Sequence, residues 1–433
     1  FYTVGKNITL KNCNVSTLYP LATGSTFVNH SYENNIFSEA VEIDLMSCTG
    51  YLDIINNTFG SQATVYLEAE NLTYINNTCG DKLYLYDSAG VIEGNLLEMC
   101  TISANNENLT FKNNVINKSS LSGYAKLIRN DIFSSNVFGS YIYENNFYGA
   151  KVYEPYSQLF TNVTNNRFLN VTEAVYLVKA PIYLFNNTII GNATYPVVYL
   201  IQLRNQNSTI EKNFISTGTN GVRVELRSDN ILIKDNTFNN LTQAIRLYGL
   251  STGRNITILN NNIENCSYGV YGEKNVSIIN NSINSNIGIY VQSGYPTIEN
   301  NTINSSDVGI YLLGAYVSDL NTTNIILGSG NKVVVNWSVR IYVLDQNGNK
   351  ISGALVSVYD NTSALVDQKT TNVRGIASFS LTQYIVNSSN TRENKTPHTI
   401  LASYSGSTNS TLLLSLIHIS EPTRPLYISY AVF

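Results

Sequence analysis

Charge is scarce in this chain. Asp, Glu, Lys and Arg make up only 13% of its 433 residues, and the net charge is −4. That balance leaves no basic surface for nucleic acid and no electrostatic pull toward an anionic membrane. Histidine is scarcer still, with three copies (His30, His398 and His418), and none falls among the repeats that follow Asn34. The five cysteines are Cys13, Cys48, Cys79, Cys100 and Cys266, with no Cys-x-x-Cys spacing, which argues against a zinc or redox motif. Their odd number means that not all can pair within one chain. Cys79 reads either as a small core residue or as one end of a bridge to Cys100. Mean hydropathy is nevertheless close to zero, at −0.06. Polarity therefore comes from Asn, Ser, Thr and Tyr, and the aromatic surface is phenolic, with 31 Tyr against one Trp.

What is present is a repeat. Asn300-Asn301-Thr302-Ile303 has counterparts at Asn34-Asn35, Asn56-Asn57, Asn76-Asn77, Asn113-Asn114, Asn165-Asn166, Asn186-Asn187, Asp235-Asn236 and Asn280-Asn281, each followed two residues later by Phe, Ile or Cys. An interval of roughly 20–25 residues is that of a solenoid. Between the corners lie short runs with apolar residues at alternate positions, too short for helices and suited to half-buried strands. The expected fold is all-β: a right-handed parallel β-helix solenoid over residues 1–330. Asn tolerates the left-handed backbone that a tight corner needs. Stacked Asn side chains also form amide ladders, expected here through Asn35, Asn57, Asn77, Asn114, Asn166, Asn187, Asn236, Asn281 and Asn301. Between Asn114 and Asn166 the period is irregular, with candidate corners at Asn136 and Asn146, and a loop or an enlarged coil is expected.

A second register runs through Gly309-Ile310-Tyr311-Leu312 and its equivalents upstream. Strand side chains alternate, so the middle residues point outward. They form an expected column of Tyr176, Tyr199, Arg223, Arg246, Tyr271, Tyr290 and Tyr311. Aromatic rings stack on sugars while Arg and Asn bind their hydroxyls, so the column is a candidate polysaccharide-binding face. Tyr stacking could equally serve only to join neighbouring coils.

From Lys332 onward the corners stop. Short alternating strands and an Asn347-Gly348 turn imply a small antiparallel β-sandwich over 333–413. The chain opens at Phe1, as a fragment or a mature product would. Residues 414–433 resemble a translated sequencing adaptor, the mark of a gene truncated in assembled environmental DNA, and are set aside as non-native.

Residues 20–330 resemble right-handed parallel β-helix repeat proteins, the group of pectate-lyase-like enzymes, NosD-like periplasmic proteins and archaeal adhesin-like surface proteins. Val343–Ala354 and Thr371–Ala377 resemble carboxypeptidase-regulatory-like or bacterial Ig-like modules, which are spacers in surface proteins. The combination implies a secreted or cell-surface, adhesin-like protein, attached to an envelope through further segments. Dense Asn-x-Ser/Thr triplets agree with a glycoprotein; candidate acceptors are Asn71, Asn108, Asn162, Asn192, Asn255 and Asn275. Triplets inside the Asn-Asn-Thr corners are expected to be poor acceptors, because the ladder needs them.

The enzyme readings of this group find few matching residues. Glycoside hydrolysis needs a pair of carboxylates, and the polygalacturonase pattern has no match. Pectate-lyase chemistry needs clustered carboxylates for Ca²⁺. The copper role implied by the NosD likeness lacks His or Met clusters. The alternative to a binding protein is therefore a polysaccharide lyase or glycoside hydrolase working through Arg223, Glu225 and Arg246. No resident metal or cofactor is expected, with Ca²⁺ the one candidate ion.

Overall fold

In each corner pair the two residues do different work. The first takes the left-handed conformation, with φ of 56° at Asn34, 57° at Asn56, 58° at Asn165, 57° at Asn280 and 55° at Asn300. The second is buried and stacks on its counterpart in the next coil. Asn57 shows the pattern: its backbone N–H and its Nδ2 both donate to Asn77 Oδ1, at 2.8 and 3.0 Å, and Nδ2 also reaches Tyr32 O at 2.8 Å. Every polar atom of the buried amide is thus used, which removes the cost of burying it. The apolar residue two positions on fills the core, as Phe37, Phe59, Ile116, Phe168, Ile189, Ile283 and Ile303 do.

The computed structural model describes residues 2–3, 7–15, 19–20, 29–37, 42–154, 160–195, 199–204, 206–225, 228–249, 255–273, 275–317, 320–345 and 347–413. The adaptor-like tail at 414–433 lies outside them. The protein is an all-β solenoid of parallel coils with a small antiparallel sheet near the C-terminus. It divides into two compact units, 1–242 and 243–433.

In unit 1–242 the coils pair in parallel and in register. Leu83 lies opposite Ile102, which lies opposite Leu121, while Ile116 lies opposite Leu97 and Ile132. The ladder runs through Asn35, Asn57, Asn77, Asn95, Asn114, Asn130, Asn145, Asn166, Asn187, Asn213 and Asn236. Among the described residues between Asn114 and Asn145, neither the expected loop nor an enlarged coil is present. Two short coils stand there instead, with ladder steps of 16 and 15 residues. Their corners are Arg129-Asn130 and Glu144-Asn145, not Asn136 and Asn146; Arg129 and Glu144 take the left-handed position at φ 55° and 54°. The salt bridge between them, 2.8 Å long, joins neighbouring corners from outside. Cys79 and Cys100 form a disulfide.

Unit 243–433 has a ladder of the same kind through Asn261, Asn281, Asn301 and Asn324. The last coil passes directly into the C-terminal module. Strand Asn331–Tyr342 pairs in parallel with Thr302–Ala315 and then antiparallel with Ile376–Val386, so no linker separates them at 330–333. The module's other sheet joins Leu355–Tyr359 to Leu365–Thr370 and to His398–Tyr404, with Ser407–Leu413 at its edge. Its core includes Trp337, Val356, Phe379 and Ile400, and Trp337 Nε1 donates to Gln383 Oε1 at 2.7 Å.

Candidate functional site

The outward column is built by strands that follow each coil's second bend. In unit 1–242 it runs Tyr153, Tyr176, Gln202, Arg223. Tyr199, expected between Tyr176 and Arg223, is displaced. It lies opposite Asn220 and to one side, with the Arg223 guanidinium 4.6 Å from its ring centroid. The cause is a break in alternation: in Tyr199–Leu203 the core takes the adjacent Leu200 and Ile201 as well as Leu203, which leaves Gln202 outward. Val197 and Val198, which suggested the other register, lie outside the described residues. Tyr153 and Gln202 were missed because the first is in an irregular coil and the second is not aromatic.

This face is a charge network. Glu225 is 5% exposed and lies between two guanidinium groups; Arg204 Nε bonds its Oε2, and Arg223 Nε stands 2.7 Å from Oε1. Glu173 takes Lys151 at 2.6 Å and Gln202 Nε2 at 2.7 Å. Lys151 also sits 4.8 Å over the Tyr153 ring and Arg204 5.8 Å over Tyr176. Both carboxylates are occupied by cations, which suits an ion-pair brace. Such a carboxylate is poorly placed to take a proton as a general base. A second phenolic patch, Tyr66 stacked on Tyr84 at 4.8 Å with Tyr86 beside it, lies nearer the N-terminus.

In unit 243–433 the column is Arg246, Tyr271, Tyr290 and Tyr311. Tyr271 and Tyr290 are stacked at 4.6 Å, and Tyr290 and Tyr311 at 5.1 Å, with ring planes within 13°. The ring faces are therefore covered by one another, and the strip offers ring edges and hydroxyls to solvent. Stacking of sugars on these faces, the expected mode, has no free face between them. Burial, then the neighbouring phenols, push Tyr290 well above the ordinary phenol range, so its hydroxyl stays neutral and able to donate. Tyr311 Oη accepts from Asn336 Nδ2 at 2.6 Å. Arg246 lies between the Tyr248 and Tyr271 rings, 5.3 and 5.2 Å from their centroids. Its Nη1 donates to Gln243 Oε1 at 2.9 Å, and among the described residues its Nε has no hydrogen-bond partner.

Of the candidate glycan acceptors, Asn71, Asn108, Asn255 and Asn275 are exposed, whereas Asn162 and Asn192 are half-buried and bonded to the hydroxyls of Thr164 and Thr194. The corner triplets are arranged differently from the expectation. In Asn56-Asn57-Thr58, Asn76-Asn77-Thr78, Asn186-Asn187-Thr188, Asn280-Asn281-Ser282 and Asn300-Asn301-Thr302 the acceptor is the first Asn, which is exposed, and the ladder uses the second. Among the described residues no three His, Cys, Asp or Glu side chains cluster as a metal site would need.

Residues 148–287 match the family described as a right handed beta helix region. The fold is a parallel β-helix solenoid. No curated protein matches this β-helix by sequence. Among solved structures, the tailspike protein of E. coli bacteriophage HK620 in complex with a pentasaccharide is 13% identical, covers 95% of this chain and 83% of that one, and has a TM-score of 0.26. A mutant of that tailspike in complex with a hexasaccharide is 11% identical, with coverages of 94% and 86% and a TM-score of 0.25. Likeness at that level carries no argument about what this β-helix binds.

Proposed function

We propose that this β-helix is an adhesin-like, carbohydrate-binding protein of the cell exterior, attached to an envelope through further segments, with an extended polysaccharide lying along the Arg246–Tyr311 strip. The observation that carries the reading is Arg246: a guanidinium beside two tyrosine rings, its Nη1 donating to Gln243, at the head of a row of phenol hydroxyls. Such a row offers one hydrogen-bonding group per coil, at a strand spacing of about 4.8 Å. The strip would read a polymer by its hydroxyls and substituents at ring edges.

The alternative, a lyase or hydrolase at Arg223, Glu225 and Arg246, has less support. Glu225 is engaged by Arg204 and Arg223. The described carboxyls whose pKa is displaced (Glu33, Glu144, Asp345, Asp360 and Asp367) are all held low, and a general acid needs the opposite.

The test incubates the protein with acidic and neutral polysaccharides plus Ca²⁺, and follows retention, new reducing ends and unsaturated products together. Retention without products, weakened at least fivefold by Tyr290→Ala or Arg246→Ala, is expected. Products that vanish in Glu225→Ala would transfer the function to carbohydrate cleavage.

A further inference from the structure

Unit 243–433 carries a groove that the strip does not use. Two to five residues before Gly269, Gly288 and Gly309, the strands Asn262–Glu273, Ser282–Gly294 and Thr302–Ala315 line a cavity of about 440 Å³. That is the size of a small-molecule site, about 300–1,000 Å³. The glycines let neighbouring coils approach closely beside it: a Cβ on Gly288 would lie 2.4 Å from both Gly309 O and Ile303 Cγ2. Asn284 lies opposite Asn304 and Ser285 opposite Ser305. Every side chain lining the groove is uncharged, and none is aromatic or aliphatic.

The hydrogen bonds between these rungs are long. Asn304 Nδ2 stands 3.5 Å from Asn284 Oδ1, and Ser306 Oγ stands 3.3 Å from Asn286 Oδ1. The ladder amides of the same coils, Asn281 and Asn301, bond each other at 3.0 Å, so the groove amides are loosely committed by comparison. At the floor, Ser285 Oγ donates to Ile287 O at 2.8 Å, but the hydroxyl of its neighbour Ser305, a residue only 3% exposed, has no partner among the described residues. An unpartnered buried hydroxyl is uncommon and costly. A change of its single side-chain torsion between staggered positions redirects it.

We propose that this groove is a second saccharide site, separate from the strip, that takes an uncharged sugar residue. A neutral polyol supplies donors and acceptors in pairs, as the Asn and Ser rungs do. The absence of charge leaves nothing to select a carboxylate or a phosphate, and the absence of apolar walls leaves nothing to hold a hydrocarbon. The site stands whether or not the strip binds a polymer.

Saturation-transfer NMR and calorimetry on the whole protein, with maltotriose, cellotriose and triacetylchitotriose as probes, test the proposal. At least one should bind. Ser306→Tyr, which fills the groove from an exposed position, should abolish that binding, and Ser305→Ala should weaken it about fivefold without lowering the melting temperature; Tyr290→Ala should leave it unchanged. Asn286→Leu replaces Ser306→Tyr if the latter fails to fold by circular dichroism. No binding of any of the three probes overturns the proposal, as does binding that survives the filled groove or is lost with Tyr290→Ala.

Discussion

Asn281 shows what one ladder residue holds together. Its Oδ1 accepts from Asn261 N and Nδ2, at 2.9 and 3.0 Å, while its Nδ2 reaches Ile258 O, Ile279 O and Asn301 Oδ1, each at 3.0 Å. Truncation leaves two or three buried groups unsatisfied, each costing about 1–3 kcal/mol less what relaxation recovers. Asn281→Ala should therefore lower the unfolding free energy of its unit by about 2–4 kcal/mol in urea titrations. Its neighbour Asn280 contributes backbone conformation instead, and Asn280→Gly should be close to neutral. Equal losses in the two variants would refute the division of labour. His398 supplies a second residue-scale test. It is fully buried, neither ring nitrogen has a partner among the described residues, and burial pushes its pKa below 6.5 in spite of nearby Asp360. The unfolded chain thus binds the proton more tightly. Stability should be complete above pH 6.5 and decline as pH falls through the lowered folded value. His30 is lowered in the same sense, so the informative quantity is a comparison: His398→Phe should flatten part of the slope between pH 5 and 6.5. An unchanged slope would place the titration elsewhere.

At the scale of the coil, the sequence was legible where the first corner residue is Asn or Asp, with Asn260-Asn261 the exception, and opaque where it is Gly, Arg, Glu or Lys. Gly94, Arg129, Glu144 and Lys212 all take the left-handed position, at φ 68°, 55°, 54° and 55°. The buried partners Asn95, Asn130, Asn145 and Asn213 were therefore missed, although each makes the same bonds. The physical requirement lies on the second residue, whereas the first needs only to tolerate its backbone, and an exposed corner lets several residue types do so at a cost of about 1–2 kcal/mol. The column failed at Tyr199 for another reason: both available registers put apolar residues inward, and a slip of register moves side chains to the opposite face. The groove was illegible because its Asn and Ser have the composition of every corner, and only the stacking of the coils sets them around a cavity. The disulfide between Cys79 and Cys100 closes a loop of 21 residues between coils. A loop of that length is worth about 3 kcal/mol. Because a solenoid's stability is a sum of local terms, Cys79→Ser with Cys100→Ser should raise hydrogen exchange chiefly in the coils at 58–121 and leave unit 243–433 unaffected. A uniform rise along the chain would contradict this.

For the molecule as a whole, the question is how a stack of open strands ends. The last coil does not present its edge to solvent along Asn331–Tyr342, since Ile376–Val386 pairs there with ten registered residues from Val333↔Val386 to Tyr342↔Ile376. Unpaired edges are templates for self-association. Removing residues 376–413 should therefore raise the fraction that sediments as higher oligomers above that of the intact chain, an outcome read by analytical ultracentrifugation. A monodisperse monomer would show that the module has some other task.

The corner pair also has a consequence for growth. Each coil brings its own joint, an outer residue that turns the chain and an inner amide that clasps the coils above and below. A whole coil can thus be inserted or deleted without redesigning its neighbours, whereas half a coil cannot. Reach then changes in steps of about 4.8 Å, and the number of rungs on the phenolic strip changes with it, so that length and valency are tuned by one operation.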